Sequence, residues 1–323
     1  MKSRVITLGD LVADLIVPIE KLPLQAQQHQ RAREITLEAG GTGNFLVIAA
    51  RLGLEVTALG TVGQDYYGQQ VLQMLAQEGV DVTPVVVPPG SQTTTSIVLV
   101  DDEAQHVFVG RFGPGSPLSF PSPWREIIEQ ADGVFTTGYA LHPSSAFTPE
   151  IVLTCLEIAR QRNIPTFFDL GPAAFIVNQA HVQASIAQST VFLATHEEIS
   201  TWTELDDPLQ AARQIQTHGP SMVIIKMGAA GCMIVTPDNH VQVDAFRVKV
   251  RDTAGAGDAF DAACVYGYVQ EFLPEQIGAL ANAVGSSSVT KLGTGTRLPQ
   301  KHEIEQLLRD NGHSFLQVSQ HRN

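Results

Sequence analysis

Asp252-Thr253-Ala254-Gly255-Ala256-Gly257-Asp258-Ala259-Phe260 stands between a strand-like run, Phe246 to Val250, and an apolar helical run that reaches about Phe272. Small residues at this junction leave backbone N–H groups bare where a helix begins. The positive end of the helix dipole adds to them, so the turn is suited to an anion. Asp258 falls in the first helical turn, where a lone acid usually just complements the dipole. Next to an anion-binding turn it gains a second use. A carboxylate there can accept the proton of a hydroxyl attacking a phosphoryl group, while the N–H groups stabilise the charge that develops.

Two other nucleotide-binding patterns fail. Gly-x4-Gly-Lys-Ser/Thr is absent, which excludes P-loop chemistry. Gly-x-Gly-x-x-Gly is not met at Gly41-Thr42-Gly43, where Leu46 takes the third place, or at Gly255-Ala256-Gly257, where Phe260 does. A dinucleotide-dependent dehydrogenase is therefore the weaker alternative. A second glycine turn, Lys226-Met227-Gly228-Ala229-Ala230-Gly231-Cys232, follows the strand-like Met222 to Ile225 and on its own reads as a hairpin turn. Near the start, Asp10 and Asp14 share one face of an extended segment. Beside Gly40-Gly41-Thr42-Gly43-Asn44 they suit sugar hydroxyls, which donate well to carboxylates; as isolated acids they would be solvated.

Further outward, Val5 to Leu8, Glu34 to Glu38, Val56 to Gly60 and Val82 to Val87 read as strands, with Tyr66 to Glu78 as a helix. A helix after Asn44 stops at Arg51-Leu52-Gly53, where glycine is an expected C-terminal signal. Thr93 to Val100 and Gln105 to Val109 form a hairpin around Asp101-Asp102-Glu103. From Val134 to Thr137 onward, strands at Thr166 to Phe168, Val191 to Ala194 and Met222 to Lys226 alternate with helical patterns such as Pro149 to Arg160 and Leu209 to Thr217. Their spacing of about 25–30 residues is what crossovers in a doubly wound parallel sheet require. The fold class is α/β, with a small β-sheet attached to one large domain and a polar tail from Asn311 to Asn323.

Length and composition set the outer bounds. The 323 residues allow one large domain or two modest ones, and 44% hydrophobic with 16% charged residues exclude intrinsic disorder. A net charge of −13 argues against nucleic-acid polymers and anionic membranes, whose binding needs many cations. No apolar run approaches the roughly 18–20 residues of a membrane span. Gly9, Asp10 and Asp14 interrupt the apolar run that starts at Val5, unlike a secretory signal, so a cytoplasmic location is expected. Cys155, Cys232 and Cys264 form no metal or disulfide pattern and read as small core residues.

Together these motifs resemble the ribokinase-like (PfkB) carbohydrate kinase family from about Val5 to Leu307. The 252–258 run is similar to its C-terminal signature. Gly9-Asp10 with Asp14, the 39–44 turn, and Gly60-Thr61-Val62-Gly63-Gln64-Asp65 with Gly68 follow in the family's order. The resemblance implies a ribokinase-like α/β body over 1–310 with a discontinuous β lid at about 12–38 and 93–110. It implies an ATP-dependent phosphotransferase acting on a hydroxyl of a small sugar or sugar acid, with Mg2+ and room for a monovalent cation. By matching positions, Asp258 is the catalytic base and Ala254, Gly255, Ala256 and Gly257 the anion hole. Asp10, Asp14, Gly40, Gly41 and Asn44 meet the sugar, and Lys226, Gly228, Gly231 and Asn282 line the ATP side. Glu198 serves the metal through water. A homodimer through the lid is also compatible with the family.

Two positions depart from the family pattern. Thr195-His196-Glu197-Glu198 carries Thr195 where asparagine is usual, and Ala39 replaces the first glycine of the N-terminal turn. They leave room for a catalytically silent sugar sensor. A nucleoside or vitamin kinase is the other alternative, with Phe108 or Phe112 as a stacking wall. Arg111 and Arg297 would meet an acidic substrate or simply be solvated.

Overall fold

The computed structural model describes residues 2–27, 29–113, 118–142, 144 and 148–315; the end of the expected tail, 316–323, lies outside the described residues. In chain order the elements begin with β1 (Arg4–Leu8), β2 (Leu11–Pro18), β3 (Thr36–Gly41), α1 (Thr42–Leu52), β4 (Glu55–Leu59), α2 (Tyr66–Gln77), β5 (Thr95–Val100) and β6 (His106–Arg111). There follow α3 (Ser122–Glu129), β7 (Gly133–Thr137), α4 (Pro149–Gln161), β8 (Thr166–Asp169), α5 (Gln179–Gln188), β9 (Val191–Thr195), α6 (His196–Thr203), α7 (Pro208–Gln216) and β10 (Met222–Lys226). The chain closes with β11 (Cys232–Val235), β12 (His240–Val243), α8 (Ala256–Val269), α9 (Pro274–Ser288) and α10 (Lys301–Asp310).

The large sheet has the order β12-β11-β10-β9-β8-β7-β1-β4. Its strands pair in parallel from β10 to β4, while β11 and β12 add an antiparallel edge. Strand side chains alternate between two cores, as a period of two demands. Val5, Phe135, Phe167, Leu193 and Ile224 enter one core with α1, α8 and α9. Ile6, Val134, Phe168, Phe192 and Val223 enter the other with α4 and α7. Helices therefore cover both faces, and Phe45 of α1 stacks on Phe135 with ring centroids 4.0 Å apart.

The small sheet, β3-β2-β5-β6, is built from the early β segments. Its inner residues Ile16, Val98 and Val100 pack on Ala254 of the signature turn. Gly53 caps α1 in the left-handed conformation at φ 114°. All three cysteines are buried and free.

Two expected strands do not form. Val82 to Val87 contributes only one isolated bridge, Val86 with Thr61, because Pro84 has no N–H to donate and Asp81 Oδ1 accepts from both the amide and the hydroxyl of Thr83. Phe246 to Val250 is irregular. β12 already forms the sheet edge, and this segment is held by α9 instead, through Ser286 Oγ to the Phe246 carbonyl at 3.3 Å. The early strand expected at Glu34 to Glu38 lies further along and runs to Gly41, where Val12 pairs with Gly40.

Candidate active site

The C-terminal ends of the parallel strands, where ligands collect in open α/β sheets, hold most of the residues singled out from the sequence. Gly255 begins α8 at φ 70° with no side-chain cap. Ala254 N donates to Asp252 Oδ1 at 2.9 Å and Ala256 N to the Thr253 carbonyl at 3.3 Å. Among the described residues, the amides of Gly255, Gly257 and Asp258 have no such acceptor. Of the turn expected to hold an anion, these three amides are the open ones, while those of Ala254 and Ala256 are engaged within the turn.

Asp258 Oδ2 accepts from Asn44 Nδ2 at 2.9 Å, and Asn44 Oδ1 accepts from Gly295 N at 2.8 Å. Burial and the charge of Asp169 push the Asp258 carboxyl up to about 6, against the Asn44 hydrogen bond and the Lys226 charge. Asp14 reaches in from β2, where its Oδ2 accepts from Thr294 Oγ1 at 3.0 Å. Burial, then the charges of Asp258 and Glu38, push it up to about 7. Gly40 makes room for this carboxylate, since a Cβ there would lie 2.0 Å from Asp14 Oδ2. Gly41 adopts φ 55° at the entry to α1. Asp10, just before β2, has other partners. It accepts from Thr61 Oγ1 at 2.7 Å and lines a small cavity with Ser91, Gln92 and Thr94.

On the other side of the signature turn, Gly228 adopts φ 56° and faces open space within the β10–β11 hairpin connection. Gly231 is required sterically, because a Cβ would lie 2.0 Å from the Val243 carbonyl. The Asn282 amide donates to the carbonyls of Val243 and Asp244 at 2.8 and 3.2 Å, fixing the same segment. The Lys226 ammonium turns inward to Asp169 and Asp261. Thr195 and Glu198 form a capping box at the start of α6. The Glu198 carboxyl is raised by burial and by Asp169. Among the described residues no three His, Cys, Asp or Glu side chains form a metal cluster.

Sequence reasoning missed Asp169, Asp261, Thr294, Glu38 and Tyr139. Asp261 carried a signal, as a charge inside an apolar helix; Asp169 carried another, at a strand end before Gly171. Tyr139 lies in the turn after β7, 53% exposed between buried neighbours. Its hydroxyl is pushed up to about 12 by burial and by Asp258, Glu198 and Asp169. Of the aromatic candidates, Phe112 stacks on His142 at 4.1 Å, and Phe108 is exposed with its ring against His106. Arg111 donates to Gln92 Oε1 at 2.6 Å, while Arg297 pairs with Glu38 and Glu34.

Comparison with known proteins agrees with this architecture. The model of the pfkB family carbohydrate kinases matches residues 2–301. The chain is 27% identical to the ribokinase of Mus musculus over 313 residues, 94% of each protein. It is 24% identical to a nucleoside kinase of Methanothermobacter thermautotrophicus over 299 residues, 92% of this chain and 93% of that one. The structure of Arabidopsis thaliana ribokinase complexed with ribose and ATP superposes with a TM-score of 0.79 at 21% identity, covering 96% of this chain and 99% of that one. The protein belongs to the pfkB family of carbohydrate kinases. Among the described residues no helix is long and apolar enough to cross a membrane.

Proposed function

We propose that the protein transfers the γ-phosphoryl group of ATP to a hydroxyl of a small sugar or sugar acid. The observation that carries this reading is the placement of the Asp258 carboxylate beside the open amides of Gly255, Gly257 and Asp258. Asp258 takes the hydroxyl proton, the oxygen bonds to the γ-phosphorus, and the bond from that phosphorus to the β-phosphate oxygen breaks, releasing ADP. The amides stabilise the charge on the transferring group. Asp14 and Asn44, with the backbone at Gly40 and Gly41, hold the acceptor; Asp10 is a further contact. Gly228 receives the nucleotide, with Gly231 and Asn282 shaping its floor.

Magnesium fits this arrangement as a partner of the nucleotide. Burial and the neighbouring Asp169 charge disfavour the ionised Glu198 carboxyl, which a cation nearby would offset, so Glu198 would hold the metal through water while the metal neutralises phosphate charge. We read residues 1–310 as one kinase unit with the small sheet as its lid. Val107, Phe108 and Val109 on the lid's exposed strand are the surface a homodimer would use.

The test is ADP release over a panel of sugars, sugar acids and nucleosides. Asp258→Asn is expected to lower kcat by about 10²–10⁴-fold; turnover near the wild-type rate would sink the mechanism. A nucleoside acceptor is the second reading, supported by Tyr139 and the stacked Phe112–His142 pair around the site and by the relative named a nucleoside kinase. Calorimetry showing sugar binding without ADP formation would instead favour a silent sensor.

A further inference from the structure

The Lys226 ammonium lies beneath the anion-binding turn, not in the open space in front of Gly228. It donates to Asp169 Oδ1 at 2.7 Å and to the two Asp261 oxygens at 3.2 and 3.1 Å. It also lies 3.8 Å from where a Cβ on Gly257 would sit. Asp169 ends β8, Lys226 ends β10, and Asp261 stands one helical turn beyond Asp258 on α8. The triad therefore ties two strand ends to the part of α8 that carries the proposed base. Its side chains are 10%, 12% and 0% exposed, in the same order. Buried charge sets of this kind seldom exceed apolar packing in stability, so stability alone does not account for it.

We infer that Lys226 is a positioning residue for phosphoryl transfer, acting through Asp169 and Asp261 to fix the first turns of α8 and to set the electrostatic field at Asp258. This rests on the reading of Asp258 as the base. Several groups face or influence that carboxylate: Asn44 from α1, Asp14 from β2, Tyr139 from the turn after β7, Asp169 from β8, Lys226 from β10, and Asp261 on α8 itself. Lys226 is the cation among them. Its charge favours ionised Asp258 and that of Asp169 opposes it, so removing one or the other has opposite consequences.

The test follows carboxyl ¹³C resonances of aspartate-labelled full-length protein against pH, with the Asp258 signal assigned by its loss in Asp258→Asn. Lys226→Met is expected to raise the Asp258 midpoint by about one pH unit and Asp169→Asn to lower it, with Lys226→Arg within about half a unit of wild type. Binding of magnesium–ATP, read by calorimetry, is expected to change less than about threefold in Lys226→Met. Midpoints that do not move, or that move together, overturn the inference. So does a tenfold loss of ATP affinity with an unmoved midpoint, which would make the ammonium a nucleotide ligand. Should Lys226→Met fail to fold, Lys226→Gln, neutral but still able to donate to Asp169, replaces it with the same expected rise, and an unmoved midpoint there overturns the inference. Since the titration needs no turnover, failure of Asp258 as the base would appear separately, as activity retained in Asp258→Asn.

Discussion

In the proposed reaction two carboxylates, Asp258 and Asp14, have the central roles, and both are pushed well above the ordinary aspartate value of 3.8. A base must be unprotonated to act, so kcat/KM is expected to fall as pH drops through about 6, the Asp258 value, and a pH–rate profile checks this. For Asp14 the linkage has a definite sign. Its folded value of about 7 exceeds the unfolded 3.8, so the folded state binds the extra proton between these limits and loses stability as pH rises through that window. Asp14→Asn removes the ionisation and lets the side-chain oxygen still accept from Thr294. Thermal unfolding at pH 8 should show a Tm raised by a few degrees, while the acceptor KM rises about tenfold or more. An unchanged KM would remove Asp14 from the site.

At the scale of elements, the start of α6 shows why Thr195 is acceptable where the family pattern has asparagine. Its hydroxyl accepts from Glu198 N at 3.1 Å, while Glu198 Oε2 accepts from Thr195 N at 2.8 Å. Asparagine caps a helix as well as threonine, and alanine does not. Thr195→Ala is therefore expected to cost about 1 kcal/mol of stability and Thr195→Asn almost none, as denaturant titration would read. The turn between β3 and α1 is less forgiving. Gly40→Ala would drive a Cβ into the Asp14 carboxylate, so acceptor binding should be lost even where the fold survives; isothermal calorimetry with the best acceptor tests it. Ala39, the other departure, is completely buried in the core, and the chain bends after it at Gly41 with φ 55°.

Across the whole molecule, the contacts that join the small sheet to the body include the Ile16, Val98, Val100 and Ala254 cluster, Thr253 Oγ1 with His106 Nδ1 at 3.3 Å, and, just beyond β6, the Phe112–His142 stack. The first two touch the signature turn itself, so in the proposed enzyme a movement of the small sheet as a lid would also shift the anion-binding turn. A lid that excludes water protects the phosphoryl group from hydrolysis. Phe112→Ala should raise the acceptor KM severalfold and increase ADP formed without acceptor. Coupled assays of ADP against phosphorylated product measure that ratio, and an unchanged ratio would deny Phe112 a part in closure.

The parallel α/β body was legible in the sequence because apolar runs and helical spacing are local, as was the anion turn, whose glycines stand directly before an apolar helix. Those same local rules misread Val82 to Val87 and Phe246 to Val250, since strand formation also needs a free sheet edge and donors, and proline or a neighbouring helix removed them. Asp14 and Thr294 meet across 280 positions, and Asn44 and Asp258 across 214. Only the folded chain brings Lys226 to Asp169 and Asp261, or shows that Asn282 is engaged by the carbonyls of 243 and 244. Sequence determined which groups could bind an anion or accept a proton. Tertiary structure decided their charge and their partners, because burial and the fields of distant neighbours act through space and leave no trace in local spacing.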